Sequence, residues 1–466
     1  MHHIKYHALI TQKIMTLTTR LSFLFLISCF PFMNTTIIAQ ENNCFGIVAG
    51  CKATTDGSVL LGHNEDDGGE QMLNIYIAAK NPQKGTHKFI WTEFPGMEVA
   101  DAFMNEYGVA VASDNCPSRE DKEDYTDGGI LFNIRMDVAK YATSARDAVR
   151  LIGMNVEKYG YRDSGRSYIV ADTHEGWVVS IVRGRHWIAQ RVPDDKVMTI
   201  PNYYVIDKID LNDTDNFMGS ADIVTYAESR GWYNPATDGE FSFRKAYGAP
   251  KTLTSASNTG RHAGALAHFA GKDFRYDVET VPFVVTPARK ITTQDVMDAL
   301  CTHRVGGDRT KVQPLVCNNR TVLSTVCQLR DWMPRELGCV MWICPGKPCT
   351  ELYIPWYMGM TESPKEWTRF ADWTEAEAKH MSDAENKQAR YPQGAYWKYV
   401  KRWENDGNKH HALSDKHYQK RQKAQRKLFE QQVSFEKSLI DKPSTEISKT
   451  LNTYTASLIK KYQPGK

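Results

Sequence analysis

The chain has 466 residues, enough to bury a large core, and its charge is nearly balanced at +3, with 58 basic against 55 acidic residues. No nucleic acid or membrane surface is indicated as a partner, because both favour a strongly basic chain. Aromatic residues make up 11% of the chain, which suits a globular protein with a lined cleft.

Residues 1–40 predict a signal peptide that is not part of the fold. A basic start closed by Arg20 precedes the apolar run Leu21–Phe30, and small and polar residues follow it. The run is short for a membrane span, and no other candidate span follows. We therefore expect an exported protein, periplasmic or secreted. Leu26–Cys29 also matches a lipoprotein cleavage site, so anchoring at Cys29 is an open alternative.

A β-hairpin is predicted directly after this leader. The apolar run Phe45–Ala53 meets the turn cluster Thr54–Gly57, and a second apolar run covers Val59–Gly62. If Ala53 pairs with Ser58 across the turn, antiparallel pairing continues outward from them along both strands.

In that register Cys44 lies opposite Asp67, with Asp66 beside it. A thiol and a carboxylate would then be within side-chain reach of each other. Cys44 is therefore the candidate nucleophile.

Strands and helices alternate along the rest of the chain. The predicted strands are 99–104 and 109–113, joined by the turn Asn105–Gly108, then a meander of 167–171, 177–182, 186–192 and 197–200, and several within 322–357. Helical spacing covers 130–159, whose last helix begins at a capping box of Ser144 and Asp147, and further helices are predicted at 292–303 and 414–440. Residues 207–289 are rich in loops and have no assignment. The predicted class is α+β, with antiparallel sheets faced by helices.

Cysteine counting supports an unpaired thiol. Of ten cysteines, Cys29 leaves with the leader, and an odd number in an exported protein leaves at least one free. Disulfides among the others are an expectation for an oxidising compartment. The series Cys339, Cys344, Cys349 has the wrong spacing for a zinc knuckle. It predicts a short covalent loop, with buried free thiols as the alternative.

A set of motifs follows Cys44 in a consistent order up to about Trp403. They are Lys52–Ser58, Gly62–Asp66, Met104–Ala110, Ala171-Asp172 with Gly176–Val179, Pro201-Asn202, Gln328–Arg330, Trp342, Tyr353–Gly359 and Gly394–Trp397. This ordered set resembles the dipeptidase/secernin family of N-terminal-nucleophile (Ntn) cysteine hydrolases, which are related to bile-salt hydrolases and penicillin V acylases.

The resemblance implies a four-layer αββα sandwich whose first strand begins at the nucleophile. The implied organisation is a signal peptide (1–40), a short propeptide (41–43), a catalytic domain (44–372) and a helical C-terminal region packed on it (373–466). No metal and no other cofactor is implied. The implied partner is a small peptide substrate, and a homo-oligomer is left open.

The resemblance also implies roles for six residues. Cys44 matches the nucleophile and Asp66 the carboxylate that steadies its amino group. Asn202 and Asn115 match asparagines of the oxyanion region. Substrate contacts are implied for His63, which stands where many relatives carry arginine, and for Arg261, a weak match to a second arginine.

The implied chemistry needs a free amine on Cys44. A thiol of pKa near ~8.5 is mostly protonated at neutral pH, and an α-amino group of pKa roughly 7.7–8.0 is a base suited to activate it. The hypothesis therefore requires cleavage of the Asn43–Cys44 bond, with the thiol attacking its own preceding carbonyl.

Plainer interpretations stay open. Cys44 could be a buried small hydrophobe, Asp66 a turn carboxylate, Asn115 a strand-end cap and Asn202 a turn residue. His63 could be structural. At the level of function, the alternatives to a dipeptidase are an amidase or acylase acting on N-acyl amino acids and a non-catalytic surface binding protein on the same fold.

Overall fold

The computed structural model describes residues 44–66, 73–94, 100–131, 133–302, 316–318, 320–380 and 415–463. All of them lie within one structural unit, which spans Asn42–Lys466. The predicted signal peptide, the propeptide and the Gly394–Trp397 motif lie outside the described residues.

Two antiparallel sheets dominate this part of the chain. In chain order the strands are β1 (Phe45–Ala49), β2 (Val59–Asp66), β3 (Asn74–Ala78), β4 (Phe89–Glu93), β5 (Ala100–Asn105), β6 (Ala110–Asn115), β7 (Tyr161–Ala171), β8 (Gly176–Gly184), β9 (Trp187–Val192), β10 (Val197–Ile200), β11 (Phe217–Gly219), β12 (Thr321–Leu329), β13 (Cys339–Pro345) and β14 (Ile354–Tyr357). The first sheet has the order β10-β1-β2-β12-β13-β14, and the second has the order β11-β9-β8-β7-β6-β5-β4-β3.

Helices flank both sheets. They are α1 (Ile134–Tyr141), α2 (Ala145–Tyr159), α3 (Ile223–Ser229), α4 (Phe243–Tyr247), α5 (Pro250–Leu253), α6 (Ala256–Ala270), α7 (Thr293–Leu300), α8 (Arg335–Gly338), α9 (Trp373–Lys379), α10 (Asp415–Lys437) and α11 (Ser444–Tyr462), with a short 3₁₀ helix at Lys365–Trp367. None of the helices in the described ranges is long and apolar enough to cross a bilayer.

The layers follow from which faces are apolar. Strands β1 and β2 pack across β6 and β7, so the two sheets lie face to face. Helices α6 and α7 cover the outer face of the first sheet, and α1 and α2 cover the outer face of the second. The predicted α+β class and the αββα layering are confirmed. The chain buries each apolar sheet face against another layer.

Local signals account for several elements. Gly108, with φ of 77°, closes the turn between β5 and β6 in a conformation that costs glycine little. The hydroxyl of Ser144 accepts a hydrogen bond from the Asp147 backbone N–H and so begins α2. Thr292 and Asp295 form a reciprocal capping box at the start of α7.

The loop between β1 and β2 differs from the predicted tight hairpin. Strand β1 ends at Ala49, and the backbone N–H groups of Lys52 and Ala53 donate to the carbonyl of Asp194 at 2.8 and 3.0 Å. The predicted pairing of Ala53 with Ser58 is therefore wrong. The loop is wide because a distant segment, after β9, supplies its hydrogen bonds.

The predicted meander after residue 160 is also corrected at its end. Strands β7, β8 and β9 are sequential neighbours in the second sheet, but β10 pairs with β1 in the first sheet, with Gly46 opposite Ile200. The alternation of Val197–Ile200 suits either sheet, because alternation shows that a segment is a strand but not which strand lies next to it.

The C-terminal helices contact the first sheet. Arg330, at the end of β12, makes two hydrogen bonds of 2.7 and 2.8 Å to the Glu436 carboxylate of α10. The Thr455 hydroxyl of α11 donates to the Pro355 carbonyl at 2.9 Å. The domain boundary near residue 372 stays a prediction.

The predicted covalent loop in the Cys339, Cys344, Cys349 series is not formed. All nine cysteines from Cys44 onward are free thiols in this structure, and eight of them are buried. The alternative of buried free thiols describes them, and the expectation of disulfides is not met here.

Candidate active site

Cys44 lies immediately before β1, on the face of the first sheet that looks toward the second. Side chains alternate along a strand, so Cys44 shares its face with Gly46. A Cβ on Gly46 would come within 2.9 Å of Oδ2 of Asp114 in β6 of the second sheet. Only 3% of Cys44 is exposed. The thiol is therefore enclosed between the two sheets.

Glu65 is the residue opposite Cys44. Strand β1 pairs with β2 so that Phe45 faces Asn64, and one further step places Cys44 against Glu65. Cys44 Sγ donates to Glu65 Oε1 at 3.3 Å. The expected pairing of the thiol with a carboxylate is present, but the predicted register is off by two residues, and Asp67 lies outside the described residues.

His63 and Asp114 form a buried pair next to this thiol. His63 Nε2 lies 3.2 Å from Asp114 Oδ1, and both side chains are fully buried. His63 belongs to β2 and Asp114 to β6, so the pair joins the two sheets. Burial raises the pKa of Asp114, against the lowering effect of His63.

Asp66 lies beside Cys44, and its carboxylate accepts hydrogen bonds from two residues of another segment. Its Oδ1 accepts from Thr321 Oγ1 at 2.5 Å, and its Oδ2 accepts from the Asn318 amide. Burial raises the pKa of Asp66 to about 7, although the Thr321 hydrogen bond and the charge of Arg261 oppose that rise. The structure thus places a desolvated carboxylate next to the residue whose amine it is predicted to steady.

Arg261 of α6 reaches into the same site. Its Nη1 donates to the carbonyl of Cys44 at 2.9 Å, and its Nη2 donates to Oδ1 of Asn202 and of Asn258, both at 2.8 Å. Only 1% of Arg261 is exposed. The weakest of the six sequence matches is therefore a direct neighbour of the candidate nucleophile.

Asn202 and Asn115 complete this network. Asn202 Nδ2 donates to the backbone carbonyl of Asn115 at 2.9 Å, and the Asn202 carbonyl accepts from Asn258 Nδ2 at 3.3 Å. The side-chain Oδ1 of Asn115 accepts from Ser164 Oγ at 3.4 Å. The structure brings all six predicted site residues together, and their catalytic and binding roles stay predictions.

The surroundings disfavour a thiolate on Cys44. Burial raises the pKa of this thiol well above its ordinary value, and the charges of Glu65, Asp114 and Asp66 raise it further. A hydrogen bond with the Asp66 backbone acts in the opposite direction. The thiol therefore needs a base close to Sγ before it can act as a nucleophile.

Three neighbouring side chains also form a group able to hold a metal ion. One donor atom from each of Cys44, His63 and Glu65 lies within 4.8 Å of the other two. Thiolate, imidazole and carboxylate are all zinc ligands.

Sequence reasoning missed several residues of the site. Glu65 could have been found from alternation, since it is two residues from His63 and must share its face. Asn258 lies one helical turn before Arg261, a spacing that places both on one side of α6. Asp114, Asn318 and Thr321 gave no such local signal.

One cavity among the described residues does not include this site. A cavity of about 560 Å³ lies between β12 and α10, and its lining includes Arg330, Trp332 and Glu436 but not Cys44. It holds no cysteine or histidine, whereas the Cys44 site combines a thiol, carboxylates and amide groups. The chemistry therefore assigns the candidate active site to Cys44.

Known proteins are similar to a large part of this chain. The model of peptidase family C69 matches residues 131–402, more than half of the chain. The matched residues include Asn202 and Arg261 and begin after Cys44.

Relatives extend the similarity over most of the chain. A probable dipeptidase of Latilactobacillus sakei is 26% identical over 368 residues, covering 70% of this chain and 76% of the relative. A probable dipeptidase of Salmonella dublin is 28% identical over 359 residues, covering 68% and 81%. Dipeptidase A of Lactobacillus helveticus is 25% identical over 373 residues, covering 70% and 78%.

Solved structures of similar proteins include two hydrolases. A variant of the conjugated bile acid hydrolase from Clostridium perfringens shows 12% identity and a TM-score of 0.34, covering 68% of this chain and 92% of that one. Penicillin V acylase from Agrobacterium tumefaciens shows 13% identity and a TM-score of 0.31, covering 67% and 86%.

The family match and the dipeptidase relatives identify a peptidase of the hydrolase class. The chain belongs to peptidase family C69.

Proposed function

We propose that this protein is an exported cysteine dipeptidase that acts through an acyl-Cys44 intermediate, after removal of every residue before Cys44. The observation that carries the proposal is the network around Cys44. The buried Cys44 lies at the start of an inner strand. Arg261 donates hydrogen bonds both to the backbone carbonyl of Cys44 and to the side chain of Asn202. The dipeptidase relatives support the same activity.

Processing would supply the missing base. In the full-length chain the Cys44 nitrogen is part of a peptide bond. Attack of the thiol on the Asn43 carbonyl would form a thioester and break the Asn43–Cys44 amide bond. Water would then cleave the thioester, releasing the upstream segment as a carboxylic acid and leaving both the thiol and the amine of Cys44 free.

The freed amine would then act as general base and general acid in the catalytic cycle. It would take the thiol proton as Sγ attacks the substrate carbonyl, and give that proton to the departing amine of the second amino acid. Water would hydrolyse the acyl-Cys44 thioester and restore the thiol. Asp66 would hold the protonated amine by a charge-assisted hydrogen bond.

Asn202 and Asn115 are the proposed donors to the developing oxyanion. Arg261 fixes the Asn202 side chain at 2.8 Å, and Asn202 in turn contacts the strand end at Asn115. Donors aimed at an oxyanion contribute roughly 3–4 kcal/mol each in measured cases.

The charge of the site favours a dipeptide over an N-acyl amino acid. The Glu65 carboxylate lies 3.3 Å from the thiol, whereas Asp66 would hold the Cys44 amine and Asp114 faces His63. Carboxylates attract the α-ammonium group of a free dipeptide, which an N-acylated substrate lacks. This observation supports the dipeptidase over the amidase or acylase alternative.

The test is to express the chain with its leader in an exporting bacterium. Intact mass and N-terminal sequencing of the product are expected to begin at Cys44, and cell fractionation is expected to find it outside the cytoplasm. Dipeptides are expected to be cleaved in preference to N-acyl amino acids.

Cys44→Ala is expected to keep its upstream residues and to lose turnover, whereas Cys51→Ser, a control on the half-buried cysteine of the β1–β2 loop, is expected to match the wild type. A fully active chain that still carries residues before Cys44 contradicts the mechanism. Cleavage of N-acyl substrates alone would favour the acylase. An inactive product that retains those residues would favour the binding protein.

A further inference from the structure

The donor atoms nearest to the thiol form an arrangement that suits a zinc ion. Tetrahedral Zn²⁺ binds sulfur at about 2.3 Å and imidazole nitrogen or carboxylate oxygen at about 2.0–2.2 Å, so two of its ligand atoms lie about 3.5 Å apart. Cys44 Sγ and Glu65 Oε1 are 3.3 Å apart. A nitrogen of His63 lies within 4.8 Å of both.

The surroundings of His63 resemble those of a zinc-binding histidine. Metal-bound histidines characteristically share the ring nitrogen that does not bind the metal with a carboxylate or carbonyl. Here Nε2 of His63 faces Asp114 at 3.2 Å, with both side chains fully buried. Nδ1 of His63 would then be the nitrogen that binds the metal, and Asp114 would orient the imidazole ring and raise its basicity.

The charge around the thiol also favours a cation. Glu65 lies 3.3 Å from the thiol, Asp114 lies 3.2 Å from His63, and Asp66 follows Glu65 on β2. The same carboxylates stabilise a divalent ion placed at Sγ, and the ion stabilises the thiolate in turn. Zinc binding would release the thiol proton to solvent.

We propose that Cys44, His63 and Glu65 bind one Zn²⁺ ion, with the freed nitrogen of Cys44 as fourth donor, and that this ion reversibly blocks the nucleophile. The inference rests on the proposed function for the freed nitrogen and for the inhibitory outcome. The amine and thiol of an N-terminal cysteine close a five-membered chelate ring on one metal ion. An ion bound in this way would occupy both the thiol and the amine of Cys44, on which turnover depends.

The experiment uses the mature exported protein, which begins at Cys44. It is stripped of metal by a chelator and titrated with zinc sulfate. Calorimetry is expected to give one zinc per chain. Peptide mapping is expected to show that zinc protects the Cys44 thiol from iodoacetamide and its amine from an acylating reagent. Dipeptide turnover is expected to fall in parallel and to return when a chelator is added. Cobalt in place of zinc is expected to show a thiolate charge-transfer absorption.

Variants separate this site from other metal-binding side chains. Glu65→Gln, at a half-buried position, is expected to weaken zinc binding at least tenfold, and Asp114→Asn by about 10–100-fold. Cys51→Ser and His87→Gln, which change a cysteine and a histidine elsewhere, are expected to leave the zinc affinity unchanged.

Three results would overturn the proposal: an unchanged zinc affinity in Glu65→Gln, zinc binding that leaves Cys44 open to alkylation, or an increase of turnover with zinc. Calorimetry and alkylation need no activity, so they test the site even if no dipeptide is cleaved. Intact mass reports separately whether the proposed processing has failed.

Discussion

Cys44 Sγ lies 3.3 Å from Oε1 of Glu65, the residue that the strand register places opposite it. Burial and three neighbouring carboxylates hold the pKa of the thiol well above its ordinary value. The precursor therefore keeps its thiol protonated. An amine freed on the same residue would supply the base that this thiol needs in order to react.

Glu65→Gln is expected to lower the pKa of Cys44, because a neutral amide removes the closest of these charges. The pH profile of iodoacetamide alkylation of Cys44, measured in the presence of a chelator, is expected to move to lower pH. Glu106→Gln, at the far turn of the β5–β6 hairpin, is the matched control and should leave the profile in place. A profile that does not move in Glu65→Gln would show that solvent screens this carboxylate.

Arg261→Lys is expected to lower kcat/KM by about 100-fold, because an ammonium group cannot replace the fork of donors with which the guanidinium binds Cys44, Asn202 and Asn258 together. Lost hydrogen bonds to a charged donor should also reduce the free energy of unfolding by about 2–4 kcal/mol, measured in urea. Arg244→Lys is the matched control, since Arg244 is also buried and donates to the carbonyls of Val281 and Glu279 away from the site. It should lose stability but keep kcat/KM. Equal losses of kcat/KM in both variants would argue against a specific role for Arg261.

Asp66 is expected to make the stability of the unprocessed chain depend on pH. Its pKa is about 7 in the folded chain and about 3.9 when unfolded, so its stabilising contribution is complete below pH ~4 and is lost as the pH rises to about 7. The loss corresponds to about 4 kcal/mol as an order of magnitude. The Cys44→Ala chain and the Cys44→Ala/Asp66→Asn chain should therefore differ in unfolding free energy by an amount that changes across this window. Parallel curves would contradict the raised pKa.

In the processed protein the same effect should be smaller, since the free ammonium group of Cys44 would stabilise the ionised Asp66. The measurement is the same comparison made on mature wild type and Asp66→Asn, if both are processed. A pH dependence as large as in the precursor would mean that the ammonium group does not reach Asp66.

Arg330→Met is expected to reduce the free energy of unfolding by about 3–5 kcal/mol, because it leaves the Glu436 carboxylate buried without its partner. The Arg330 and Glu436 side chains are 7% and 5% exposed. Arg330→Met/Glu436→Met should recover much of that loss, as measured in a double-mutant cycle in urea. The exposed pair Lys442–Glu446 is the control, and breaking it should cost no more than about 0.5 kcal/mol. Additive losses at Arg330 and Glu436 would show that the buried pair is not coupled.

Local patterns along the chain predict strands and helices, and most of these elements are present. Turn residues and alternation identify the β5–β6 hairpin, and capping residues identify the starts of α2 and α7. The unassigned segment 207–289 contains α6 and thus Arg261. Its helix has apolar and polar residues without a wide apolar stripe, because Asn258 and Arg261 are buried by hydrogen bonds rather than by apolar packing.

By itself the sequence determined that Cys44 stands at the start of a strand and that His63 and Glu65 share one face of the next strand, since side-chain alternation depends only on neighbours along the chain. The tertiary structure alone decided that Glu65 faces the thiol, because Asp194 widens the loop and shifts the register by two residues. It also decided that Asp114 meets His63 and that Arg261 meets Cys44. These contacts join segments far apart in the chain, and they form only when the two sheets and α6 pack together.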